Sequence, residues 1–221
     1  MARRNGAEMR NVWLTIAAVA GLVILPSVAR GDTLFDNTSI TPVGSDFIGA
    51  NNNFGPLADS FSTGTSSFAF NSLSLVLNAL TPGDNSSFTI SLLSDSSTAP
   101  GSVLETFGTV NDSSLSTAFA TYTFNGPTFT LAPSTRYWIE LSSPNSSANW
   151  LWTLDDSGTG VAGQFFFISQ QGGVKPDSDG PYLMAIPGVQ IASAPEAGTL
   201  LSLAFGLGAI FLSRRKRLLN N

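Results

Sequence analysis

"SFAFNSLSLVL", residues 67–77, decides the fold class of this chain. Phe68 and Phe70 alternate with small residues, and Leu73, Leu75 and Leu77 then alternate with Ser72, Ser74 and Val76. A period of two places successive side chains on opposite faces of an extended strand, so Phe68 and Phe70 share one face, and Leu73, Leu75 and Leu77 share one face. The phase slips at Asn71-Ser72, which predicts a bulge or bend at that point.

The same pattern recurs on both sides of the stretch. Thr81-Pro82-Gly83-Asp84-Asn85 is turn chemistry. Beyond it, 87–93, 103–110, 118–124, 129–131, 135–141, 149–154, 164–169 and 182–191 are short apolar or alternating runs separated by Gly, Pro, Asn and Asp. With 33–35 and 57–61 they make ten or eleven short strands. That spacing predicts an all-β fold, an antiparallel β-sandwich of jelly-roll-like type. Residues 37–53 have little apolar periodicity and read as a loop covering one end of the sheets.

The ends of the chain have a different composition. Arg3, Arg4 and Arg10 precede the apolar run 12–25, and Pro26-Ser27-Val28-Ala29 follows it. A basic start, a short apolar stretch and small residues before the junction make a secretory signal peptide over 1–29. Residues 30–192 then form one extracellular domain, and 193–217 a separate tail. Within that tail, 197–213 carry no charge and Arg214, Arg215, Lys216 and Arg217 form a dense cationic stop. Seventeen residues at about 1.5 Å each lie at the short limit for spanning a bilayer, and the basic block would hold that end in the cytoplasm.

Charge and composition exclude several kinds of function. Of ten basic residues only Arg136 and Lys175 fall between Gly31 and Pro195, against 13 acidic ones, so that span carries a net charge of −11. Such a surface repels phosphate backbones, which excludes nucleic acid as a partner. There is no cysteine and no histidine. Apolar packing must therefore hold the core without disulfides, and Ser-His-Asp, Cys-His and ordinary zinc chemistry are ruled out. An enzyme built on this chain would have to use a carboxylate pair or oxygen-ligated hard metal.

The candidate sites follow from those limits. Asp155-Asp156-Ser157-Gly158 and Asp177-Ser178-Asp179-Gly180 combine carboxylates with glycine. They are either plain turn formers or, at Asp177 and Asp179, ligands of a Ca²⁺ ion, the one cofactor this sequence suggests. Trp138, Trp150 and Trp152 are either core fillers or a platform stacking on sugar rings. By strand alternation, Trp138 lies on the face opposite Tyr137 and Ile139, and Trp150 and Trp152 share a face. Glu105, Glu140, Asp155 and Asp156 are the only plausible stock for a glycosidase pair, and nothing in their spacing brings two together. Asn-X-Ser/Thr triplets begin at Asn37, Asn85, Asn111 and Asn145, as a serine-rich chain supplies by chance.

The tail resembles the PEP-CTERM sorting signal of Gram-negative bacteria in its motif, apolar stretch and Arg-rich end. Its motif reads Pro195-Glu196-Ala197, with alanine in place of the second proline. "FTISLLSDSSTAPGSVLETFGTV" (88–110) and "FTLAPSTRYWIELSSPNSSANWLWTLDDSG" (129–158), with "LFDN" at 34–37, resemble the choice-of-anchor R domain. The resemblances imply an extracellular module, passing transiently through the inner membrane, sorted by an exosortase and left at the cell surface or in the extracellular matrix. They imply no catalytic residues. The expectation is a non-enzymatic surface or matrix protein associated with extracellular polysaccharide. Its rivals are a tryptophan-based carbohydrate-binding module and a carboxylate- or calcium-dependent hydrolase.

Overall fold

Residues 31–49, 55–83, 85–170 and 173–191 are described by the structure, a computed structural model. They form β1 (Gly31–Asp36), β2 (Gly44–Phe47), β3 (Leu57–Ser62), β4 (Ser67–Ala79), β5 (Ser87–Asp95) and β6 (Pro100–Asn111), then β7 (Ala120–Leu131), β8 (Arg136–Ser142), β9 (Ala148–Trp152), β10 (Phe166–Gln170), β11 (Gly173–Pro176) and β12 (Met184–Ile191). The strands make two six-stranded sheets. One runs β1-β12-β4-β9-β2 with β7 also on β4, and the other runs β11-β10-β3-β8-β5-β6. Neighbouring strands within both are antiparallel.

The alternation that decided the fold class organises the first sheet. Phe68, Phe70, Leu73, Leu75 and Leu77 of β4 are all buried in one apolar cluster. The predicted slip is a register shift between Phe70 and Ser72 in the pairing with β7. Leu57, Phe61, Ile90, Ile139 and Leu141 of the second sheet join the same cluster, so the two sheets share one core. Each such side chain contributes roughly 1.5–3 kcal/mol on burial, and without a disulfide this is the main source of cohesion. Two smaller clusters lie apart from it: Ala58, Leu93, Trp138 and Phe167 in one, Val76, Leu151 and Leu183 in the other.

β4 is forked along one edge. It pairs with β7 from Phe68 to Leu77 on one side. On the other side β12 covers Ser67 to Leu75, and β9 takes over at Leu77–Ala79. The gap between these partners is filled by Leu183: Val76 N donates to Leu183 O, and Leu183 N donates to Leu151 O. Tyr182 sits at this fork.

Three elements differ from the sequence expectation. Residues 44–47, expected within a loop, form edge strand β2, whose mixed Gly-Ser-Asp-Phe pattern gives no apolar period. The two strands expected at 118–124 and 129–131 are replaced by one strand, β7, over Ala120–Leu131. Asn125-Gly126-Pro127 looks like a turn but is a break in pairing, between Ser72↔Asn125 and Phe70↔Phe129. Proline is tolerated there because β7 lies at the sheet's edge. The four-residue β11 lay below the resolution of periodicity. The expected segments 1–29 and 193–217 lie outside the described residues, among which no helix is long and apolar enough to cross a membrane.

Candidate functional site: carboxylates around Tyr182

Tyr182 is fully buried, and five different parts of the chain fix it. Its ring stacks on Trp150, with centroids 4.5 Å apart. Its backbone N–H donates to Asp59 Oδ2 at 2.9 Å, and its carbonyl accepts from Asn37 Nδ2 at 3.0 Å. Asn37 Oδ1 accepts from Met184 N at 2.8 Å, so this buried amide serves both sides of the segment as a backbone group would. The hydroxyl lies 2.9 Å from Asp46 Oδ2 on β2 and 2.9 Å from Asp177 Oδ2 in the turn after β11.

β2 reaches this position through its register. Asp46 pairs with Trp150 and Gly44 with Trp152, which places Asp46 and Gly44 on the face of β2 that meets the buried rings. Gly44 leaves the space that the Trp152 ring occupies. Asp177 is held from its other oxygen, since Oδ1 accepts from Asp179 N at 2.9 Å. Gly180, with φ of +137°, lets the chain pass against Thr153 O, where a Cβ would collide with the backbone.

The electrostatics of the group are those of acids without a base. Burial raises the Asp46 carboxyl to about 6, with the nearby Asp177 and Asp179 pushing the same way and the Tyr182 hydroxyl opposing. Burial also raises Asp177 and, more strongly, Asp59. Tyr182 is pushed up by burial and by both carboxylates. Asp59 Oδ1 is buried without a hydrogen-bond partner. Trp152 Nε1 is buried outside hydrogen-bonding geometry with any acceptor, although its N–H is close enough to Asp46 to favour the charged form.

The structure thus gathers Asp177, one of the two residues suggested for calcium, with Asp46, Asp59 and Tyr182, which sequence reasoning missed. Asp179 sits in the same turn. Both Asp177 oxygens already accept hydrogen bonds, from Asp179 N and from Tyr182. Among the described residues no group of three or more His, Cys, Asp or Glu stands in an arrangement that would hold a metal ion. The Asp155 loop is an exposed turn in which Ser157 N donates to Asp155 Oδ1 at 2.8 Å, and its bonds to Ser157 lower the Asp155 carboxyl.

The tryptophans are not arranged as a sugar platform. Trp138 and Trp150 are fully buried and Trp152 partly so. Trp150 packs in the main core, and its Nε1 donates to Leu183 O at 3.1 Å. Trp138 does lie on the face opposite Tyr137 and Ile139. There Phe167 packs edge-on 5.2 Å away, and Trp138 Nε1 donates to Asp95 Oδ1 at 2.9 Å. An open groove of about 490 Å³ lies beside Asp95, lined among others by Thr63, Thr65, Ser134, Thr135 and Arg136. Arg136 is 3.9 Å from Asp95, donates to Gln164 and to Gly163 O, and lies 4.6 Å over the Phe165 ring. Glu140 is half-buried on β8, and burial raises its carboxyl. The sorting motif Pro195, Glu196, Ala197 and the stop Arg214, Arg215, Lys216, Arg217 lie outside the described residues.

No family model matches the chain, and no curated protein matches it.

Proposed function

We propose that this is an exported, non-enzymatic protein of the cell surface or extracellular matrix of a Gram-negative bacterium. Its body is a two-sheet sandwich of jelly-roll type, delivered by the signal peptide 1–29 and sorted by the tail 193–217. The observation that carries the reading is the division of charge. Eight of ten basic residues flank an acidic body that has no cysteine and no histidine. An acidic body stays soluble outside the cell, and a core without disulfides does not depend on oxidative folding there.

Extracellular polysaccharide is the partner this reading favours, met through an open groove rather than tryptophan faces. The groove beside Arg136 supports it, offering hydroxyls and a guanidinium stacked on Phe165. A divalent cation is the second ligand class for so acidic a surface, to be sought at Asp177 and Asp179. Melting that rises with added Ca²⁺ and reverses with EDTA supports it, and unchanged melting removes it.

Sorting is tested by mass spectrometry of the surface-exposed protein from a host that carries an exosortase. The expected mature chain lacks residues beyond about Ala197. An intact Arg217 on that form overturns the proposal.

A further inference from the structure

The groove beside Arg136 has a neighbour. A second groove of about 400 Å³ lies across the loop between β3 and β4, lined among others by Asp32, Thr33, Thr159 and Gln190. Ser62, Gly64 and Thr65 line both. The two grooves therefore meet over that loop, and each is of the size that holds a small ligand, roughly 300–1,000 Å³. Where they meet the wall is low, because a Cβ at Gly64 would stand in open space with nothing within 4 Å.

We infer that the two grooves form one binding site for an extended, uncharged oligosaccharide, which crosses the loop at Gly64 and occupies both. The site rests on the polysaccharide reading above and gives that partner a chemical class and a path. Asp95 lines one groove and Asp32 the other, on a body whose net charge is −11. Arg136, the one basic residue among the described residues of either lining, is already engaged by Asp95, Gln164, Gly163 O and the Phe165 ring. A polyanion would meet repulsion in both grooves. Buried Leu34 and Phe68 line the second groove beside exposed Thr33 and Thr65. A sugar ring matches such a mixture, with apolar C–H faces and a rim of hydroxyls.

The loop is held in place before any ligand arrives. Thr63 N donates to Thr135 O at 2.9 Å, and Thr63 Oγ1 donates to Ala132 O at 2.7 Å. Ser134 N donates to Gly64 O at 2.7 Å, closing the turn that holds Ser134 in the left-handed region at φ +50°. On the far side Gln190 Nε2 donates to Ser66 Oγ at 2.6 Å, which orients an amide whose oxygen is an acceptor. A site built this way orders little on binding, and a chain lying in both grooves gains from each without a second encounter.

The test is electrophoresis of the full chain through gels holding dextran, galactomannan, hydroxyethyl cellulose or alginate. At least one of the three neutral polymers is expected to retard the protein, and anionic alginate should not. Against that polymer, the hexasaccharide of its backbone should compete at about tenfold lower concentration than the disaccharide, because only the longer chain reaches both grooves. Gly64→Trp should keep the wild-type Tm, since its side chain enters open space, and should abolish the difference between the two lengths. If it does not fold, Thr65→Trp on the same shared wall decides. Equal competition by the two lengths, a difference that survives the tryptophan variant, or retardation by alginate overturns the two-groove site and leaves the polysaccharide reading standing. No retardation by any neutral polymer removes the polysaccharide partner itself, and this site with it.

Discussion

Trp150 lies flat against Tyr182, ring planes 18° from parallel and centroids 4.5 Å apart, in the gap where β4 passes from β12 to β9. The stack ties β9 to the chain entering β12, and the indole also supplies a second donor to Leu183 O, beside Val76 N. Trp150→Ala should destabilise the protein by about 3–5 kcal/mol, because a large buried ring leaves a cavity that packed strands cannot close. Trp150→Phe keeps an aromatic face and loses the hydrogen bond, at about 1–3 kcal/mol. Urea unfolding followed by circular dichroism measures both. A Trp150→Ala loss below about 1 kcal/mol would show that the fork does not depend on the stack.

Gly44 and Trp152 make a second prediction. A Cβ at Gly44 would fall inside the Trp152 ring, whereas a Cβ at Gly64 would meet nothing within 4 Å. Gly44→Ala should cost about 1–3 kcal/mol by pushing β2 off β9. Gly64→Ala should be neutral, or stabilising by up to about 1 kcal/mol through the unfolded chain. Equal effects from the two substitutions would mean that β2 is not held at this register.

The pH dependence follows from four carboxyls shifted in one direction, Glu140 on β8 being raised by burial like the three around Tyr182. Asp46, Asp59 and Asp177 are all raised above their ordinary values, Asp46 to about 6, so the folded protein binds protons more tightly than the unfolded chain. Their contribution is complete below the unfolded value of about 4 and is lost as pH rises through the folded values. Melting temperature should therefore fall between about pH 4.5 and pH 7.5. Asp59→Asn should melt higher than wild type at neutral pH. It removes the buried ionisation and keeps a carbonyl oxygen to accept from Tyr182 N. A variant with unchanged pH dependence and lower stability would show that Asp59 stays ionised.

The all-β class was legible from residues 67–77 because a half-buried strand must alternate, and even the slip at Asn71-Ser72 reports the real break between Phe70 and Ser72. Elements held mainly by neighbours were not legible. β2 owes its place to pairing with β9 and to contact with Tyr182, which leave no period in "GSDF". The site was half legible. Asp177-Ser178-Asp179-Gly180 announced an acidic turn, but Asp46 and Asp59 stand more than a hundred residues away in sequence. The signal that existed was a lone aspartate in each of two short segments, "GSDF" and "LADSFS". In the second, alternation puts Asp59 on the same face as Leu57 and Phe61, an acid in an apolar row. The tryptophan alternatives were separated only by seeing which faces were covered: alternation put Trp138 on the outer face of its strand, and tertiary packing by Phe167 and the Asp95 turn closed it over.

Asp112 carries the last prediction. It is fully buried in the single described 3-10 turn, and serine donors surround its carboxylate. Ser86 Oγ donates at 2.5 Å, Ser146 Oγ at 2.9 Å, Ser147 N at 2.6 Å and Ser147 Oγ at 3.1 Å. These donors come from the turn before β5 and the approach to β9, so one side chain joins segments distant in sequence. In the sequence the same residue stands only as the middle of the Asn111-Asp112-Ser113 triplet. Asp112→Ala should cost about 3–5 kcal/mol, since it strands several buried donors at once. Asp112→Asn keeps the shape and one acceptor oxygen, and should recover roughly half of that loss. Ser86→Ala removes a single donor and should cost about 1 kcal/mol. Urea midpoints at constant slope would give all three values. An Asp112→Ala loss no larger than that of Ser86→Ala would mean that water replaces the carboxylate and that the serine cradle is not what holds these turns together.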